Sequence, residues 1–133
     1  MKKYLGIDYG SKRVGVAVSD DGCKIAFPKN IIENNKKLPE TLKEICKKEN
    51  ITGVVLGESL DSSMEPNLIM EKVYPFKEFL EKELEIPVYF EKEFMTSHHA
   101  SFGEKRGEFK KDAIDASAAA LILQRFLDKI NNK

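Results

Sequence analysis

Four acidic residues stand where short apolar segments end or a helix opens: Asp8 after YLGI, Glu58 after ITGVVLG, Glu93 in VYFEKEF and Asp115 at the head of DASAAALILQRFLD. A carboxylate at the end of a buried strand is costly unless it is paired or holds a cation. Each acid alone has a plainer reading. Asp8 can cap the Gly-containing turn that follows it, and Asp115, or Asp112 three residues earlier, can complement a helix dipole. Together they come from elements far apart in sequence, each at the edge where an α/β sheet exposes its site. Carboxylates confined within a few ångströms repel strongly unless hard divalent cations such as Mg²⁺ or Mn²⁺ neutralise them. Two such ions about 4 Å apart activate water and stabilise a leaving 3′-oxygen, which is phosphodiester hydrolysis without a Ser or His nucleophile.

Other reactive side chains offer less. His98 and His99 lack the i, i+4 spacing of a helical zinc site and have no cysteine near them. Cys23 and Cys46 form no close-spaced pair and read as packing residues. Gly6, Gly10 and Gly15 make neither a dinucleotide fingerprint nor a P-loop, so tight turning and close backbone approach are their expected duties.

The elements that must position the acids follow from periodicity. Tyr4 to Asp8 and Arg13 to Ser19 read as a hairpin, and Cys23 to Ile31 as a third strand, with Pro28 placing it at an edge. Thr41 to Glu49 has helical spacing, with Leu42, Ile45 and Cys46 on one face, whereas Ile51 to Gly57 is the unbroken apolar run of a central strand. Leu68 to Glu85 is expected to be a helix kinked or interrupted by Pro75, Pro87 to Phe90 a short strand, Glu91 to Lys111 a polar stretch, and Asp112 to Asp128 a closing helix. Ala116, Ser117, Ala118, Ala119 and Ala120 would let that helix approach the sheet closely, carrying its first-turn acid towards Asp8. The order β-β-β-α-β-α-β-α predicts an α/β fold in which an antiparallel start is followed by crossover units onto one mixed sheet.

The 133 residues suit one domain, and 41% hydrophobic with 33% charged residues excludes a disordered chain. No apolar run approaches the roughly 18 residues of a membrane span, and an acid as early as Asp8 argues against a signal peptide, so a cytoplasmic protein is expected. Lys plus Arg equals Asp plus Glu at 22 each, which leaves any case for nucleic acid to local clusters: Lys2, Lys3, Lys12 and Arg13 early, Lys105, Arg106, Lys110 and Lys111 late.

Three blocks in order resemble the YqgF (RuvX) family. GIDYGSKRVGVAVSD resembles its Asp-x-Gly strand end, basic turn and Gly-Val-Ala strand, with Asp8 on the first catalytic acid. FEKEFMTS resembles its Asp-Glu-Arg-Leu-Thr-Thr block, placing Glu93, Thr96 and Ser97 on the Glu and the two Thr, although Lys92 and Phe94 replace the block's acid and Arg. DASAAALILQRFLD resembles its terminal helix, with Asp115 on the final acid. The segment GESLDSSMEPN departs from the family's Gly-Leu-Pro-Leu loop and puts Glu58 where RuvC-like resolvases of the same superfamily carry an active-site Glu. Glu93 is preferred as the middle ligand, with Glu58 as a second ligand or water-orienting group.

The resemblance implies a ribonuclease H-like fold with a five-stranded mixed sheet, Mg²⁺- or Mn²⁺-dependent nuclease activity, and trimming of the precursor of small-subunit (16S) ribosomal RNA by a monomer or weak homodimer. Lys12, Arg13, Lys105 and Arg106 are then expected to flank the acids and hold the polyanion, with the Thr96 and Ser97 hydroxyls on a phosphate. A Holliday-junction resolvase acting on four-way DNA is the nearest alternative, and symmetric cutting of two strands would require a dimer. An actin-like ATPase-related domain and a non-catalytic nucleic-acid-binding module are further readings. The first would need a second such domain to close on ATP, and the second would bind without cutting.

Overall fold

The computed structural model describes residues 2–94 and 111–132, with backbone only for Phe94 and residues 111–117. Strands β1 (Tyr4–Tyr9), β2 (Arg13–Ser19) and β3 (Ala26–Glu33) lead into helix α1 (Leu38–Glu49). Strand β4 (Gly53–Leu60), helix α2 (Met70–Leu84), strand β5 (Val88–Phe94) and helix α3 (Lys111–Asn131) follow. The five strands form one sheet in the order β3-β2-β1-β4-β5, antiparallel from β3 to β1 and parallel from β1 to β5.

Strand alternation sorts the apolar side chains into two layers. Leu5, Ile7, Val14, Val16, Val54, Leu56 and Val88 face α1 and α2, which bury Leu38, Leu42, Ile45, Met70, Val73 and Leu80 against them. Tyr4, Ala17 and Val55 face the other way, onto Ala119, Ile122, Leu123 and Leu127 of α3. Each fully buried Leu or Ile in these layers contributes about 1.5–3 kcal/mol. The seat of α3 is unusually close. A Cβ at Gly6 would stand 2.7 Å from the Leu123 Cβ and 2.9 Å from the Ala119 carbonyl oxygen, so a bare strand residue and a small helix residue meet as the run of small side chains predicts.

Several boundaries differ from the sequence reading. The third strand starts at Ala26 and runs to Glu33, and its register shifts opposite Val16/Ala17, beside Pro28, where proline's missing N–H is tolerated on an edge strand. Helix α2 continues through Pro75. A proline there removes one intrahelical bond, and buried Met70, Val73 and Leu80 hold the helix on both sides of it. The largest difference is β5, which extends four residues past Phe90. Its polar EKEF segment stays in the sheet because β4 offers partners as far as Leu60: Gly57 to Glu91, Glu58 to Lys92, Ser59 to Glu93 and Leu60 to Phe94. Both Glu58 and Glu93 therefore lie within strands, where alternation fixes the face that each one takes.

Candidate active site

Asp8 is the fifth residue of β1, half-buried and directly opposite Gly15 of β2. One step beyond the Ile7–Leu56 pair on the other side comes Gly57 of β4, so Asp8 stands between two strand positions without side chains. After Tyr9 the chain turns sharply. A Cβ at Gly10 would run into the Arg13 carbonyl oxygen, which is why glycine occupies this position. The Asn34 side chain donates to the Gly10 carbonyl at 2.7 Å and its backbone N–H donates to that of Lys12 at 2.9 Å, fixing the basic turn beside Asp8. Lys12 is exposed, and Arg13 falls on the α3 face by alternation with Gly15 and Ala17.

Glu93 reaches the same face. Its Oε2 would be 3.0 Å from a Cβ at Gly57, and Ile122 of α3 would be 2.6 Å away, so the carboxylate lies over the bare glycine beside the helix. Burial first, and then the nearby charge of Asp8, push its pKa up to about 7, with Arg125 of α3 opposing them. The Arg125 guanidinium also donates to the Lys92 carbonyl at 3.4 Å. Next along β5, buried Glu91 accepts from Lys129 at 2.8 Å.

The backbone at Asp115 is one helical turn before Ala119, the residue seated on Gly6, and Asp8 is two residues beyond Gly6 on β1. A helix turn rises about 5.4 Å and two strand residues about 6.6 Å, so the start of α3 runs out along the sheet on the face that bears Asp8 and Glu93.

Glu58 is not brought into this group. Alternation puts it with Val54 and Leu56 on the α1/α2 face, where its Oε2 accepts from the Tyr74 hydroxyl of α2 at 3.1 Å. Glu58 was expected as a second ligand or water-orienting group beside Glu93, and the two stand on adjacent strands but on opposite faces. Thr96, Ser97, His98, His99, Lys105 and Arg106 lie outside the described residues. Sequence reasoning missed Gly57 and Arg125. The available signals were a glycine closing an apolar run just before an acid, and a base set within the apolar LILQRFL.

Among the described residues no group of three or more His, Cys, Asp or Glu is gathered to hold a metal. The described donors are the carboxylates of Asp8 and Glu93. An all-oxygen pair in which burial, and then the neighbouring charge, raises one member's proton affinity suits a hard divalent cation.

A five-stranded sheet in this order, carrying paired carboxylates under a C-terminal helix, belongs to the ribonuclease H-like class. Two Thermus thermophilus RuvC structures support the assignment of fold. One, solved in complex with a Holliday junction substrate, aligns over 99% of this chain and 98% of its own with a TM-score of 0.59 at 14% identity. The other covers 94% and 93% with a TM-score of 0.56 at 14% identity. The profile of the RuvX family, described as "Holliday junction resolvase", matches residues 2–129, and the chain belongs to that family. Among curated relatives, a protein of Rickettsia africae named "Putative pre-16S rRNA nuclease" is 38% identical over 139 residues, spanning 96% of this chain and 87% of the relative. One of the same name from Rickettsia felis is 39% identical over 137 residues, spanning 95% and 86%.

Proposed function

We propose that this chain is a single-domain, divalent-metal-dependent nuclease that hydrolyses phosphodiester bonds in a precursor of small-subunit ribosomal RNA. The observation that carries the reading is Glu93 lying over Gly57 on the face that bears Asp8, with its proton affinity raised by burial and by that neighbour. Asp8, Glu93 and Asp115 are the proposed ligands for Mg²⁺ or Mn²⁺, and Glu58 is set aside. A bound divalent cation would supply the positive charge that activates water and neutralises the scissile phosphate. The chain's own part is to place the carboxylates. Gly57 leaves room for Glu93, Gly15 and Gly57 flank Asp8 without side chains of their own, and α3 seated on Gly6 sets the level of Asp115. Lys12 and Arg13 stand at the same sheet end to hold the substrate's phosphates, with Lys105, Arg106, Thr96 and Ser97 proposed to complete that surface.

Among the described residues no helix is long and apolar enough to cross a membrane, and a cytoplasmic site of action accords with a ribosomal precursor as substrate. The test is to incubate the pure protein with labelled structured and single-stranded RNA and with four-way DNA junctions, in Mg²⁺, Mn²⁺ or EDTA. RNA cleavage that needs the metal and is lost in Asp8→Asn is the expected result. Binding without cleavage would make the protein a binding module, and paired symmetric cuts in the junction by a dimer would make it a resolvase.

A further inference from the structure

Beside the carboxylates, a shallow groove of about 360 Å³ runs between β5 and α3, lined by Glu91, Lys92, Arg125, Asp128 and Lys129. Its contents are ordered along the strand. Glu93, Glu91 and Tyr89 alternate on one face of β5 and meet Arg125, Lys129 and Phe126 of α3 in turn. Arg125 and Lys129 are one helical turn apart and so lie on one side of α3. Tyr89 stacks on Phe126 with centroids 5.2 Å apart and remains 40% exposed, a large aromatic surface left open at the far end of the row. From the catalytic end outward the order is carboxylate, guanidinium, ammonium, aromatic ring.

We propose that this groove is a binding track for single-stranded RNA leading to the catalytic carboxylates, with Arg125 and Lys129 on successive phosphates and the Tyr89 ring under an unpaired base. The inference rests on the nuclease reading and adds where the strand lies. The four steps along the strand from Tyr89 to Glu93 span about 13 Å, roughly two nucleotides of an extended chain. Lys129 is 66% exposed at its side chain, and an ammonium carries three donors, so its bond to Glu91 does not use up its capacity for phosphate. Lys92 contributes its backbone to the groove, its carbonyl accepting from Arg125, while strand alternation turns its side chain to the other face. Cations beside an open aromatic face are the pairing used to hold unpaired strands, because any base offers a π-face only when it is unpaired. A duplex keeps its bases from the Tyr89 ring, and this selects a single strand as the occupant.

The test measures binding of the full chain, in EDTA, to a fluorescent single-stranded RNA 12-mer and to its duplex, across a salt series. Tyr89→Ala is expected to weaken single-strand binding about 5- to 100-fold and leave duplex binding unchanged. Removing Lys129 alone would leave Glu91 buried without its partner, so Lys129→Ala is combined with Glu91→Gln, which conserves net charge. This pair and Arg125→Gln should each lower the slope of log affinity against log salt by about 0.7. Lys47→Ala with Lys48→Ala, on the exposed face of α1, is expected to change neither quantity. Circular dichroism confirms that each variant is folded. Unchanged affinity and salt slope in folded Tyr89→Ala and in the Lys129/Glu91 pair would overturn the track. The nuclease reading would be untouched by that result, since it fails only if Mg²⁺-dependent cleavage is absent or survives Asp8→Asn.

Discussion

Glu58 and Glu93 sit one strand apart near the same end of the sheet, and their surroundings are opposite. Glu93 lies under α3, over a glycine, beside Asp8, and burial with that charge holds its pKa at about 7. Glu58 lies on the α2 side, where its partner is the Tyr74 hydroxyl, itself packed edge-on against Phe90. One residue's difference in register decides between an acid confined with another acid and an acid in an ordinary surface hydrogen bond. Proximity along a sheet edge therefore does not predict a shared site; parity does.

The sharpest way to break this comparison is to remove each carboxylate in turn. Glu93→Gln and Asp8→Asn are expected to reduce Mg²⁺-dependent RNA cleavage by more than about 100-fold, beyond the range typical of outer partners of a metal ligand. Glu58→Gln should cost less than about 10-fold, below that same range. Near-wild-type turnover in Glu93→Gln would invert the assignment. The glycine beneath Glu93 provides the next largest effect. Gly57→Ala forces both Ile122 and the Glu93 carboxylate to shift, and a loss of about 1–3 kcal/mol in urea unfolding is expected. Its cleavage should fall with the stability of the site's geometry even at temperatures where the fold is fully populated, which single-turnover assays would measure.

A third test reads the cost of holding Glu93 beside Asp8. Its pKa rises from 4.5 in the open chain to about 7 in the fold, so the ionised form is disfavoured by on the order of 3 kcal/mol. The metal-free wild type should lose that stability progressively between pH 4.5 and 7 relative to Glu93→Gln, with no difference below this window and a constant one above it. Denaturation of both proteins in EDTA across pH checks this, and Mg²⁺ should restore the wild type at pH 8 while doing little for the variant. A flat difference across pH would remove the electrostatic account of the pair. The smallest effect belongs to the other glutamate. Tyr74→Phe removes one 3.1 Å bond at an exposed site, and a change within about 0.5 kcal/mol with unaltered cleavage is expected.

Much of the fold was legible because its signals are local. RVGVAVS alternates cleanly, ITGVVLG is apolar without a break, and the small residues of ASAAA forecast the close seat of α3 on the sheet. The extent of β5 was not legible, since EKEF reads as a polar loop and is held in the sheet only by hydrogen bonding to β4, a partner remote in sequence. The preference for Glu93 over Glu58 rested on resemblance alone for the same reason. Resemblance favoured one and strand-end position the other, and neither argument contains the register that puts them on opposite faces. Arg125 and Gly57 stayed hidden because each acts through a neighbour that only tertiary packing supplies.

The contacts of α3 with the three opening strands and their turns join nearly the two ends of the described chain. Gln124 of that helix accepts from the Ala26 backbone across 98 residues, and Asn131 donates to the Cys23 carbonyl across 108. Such closures are slow, because long loops must be ordered before the contact rewards them. During synthesis, at about 5–20 residues per second, the strand bearing Asp8 emerges well before the helix that covers it. Until that helix docks, Gly6 and the row beyond it face solvent, and the apolar face of the central strand is exposed to other chains. The late-arriving helix thus makes its own docking the step that covers Asp8 and Glu93 and gathers the proposed ligands, and a nascent chain still without it carries those acids on an uncovered face.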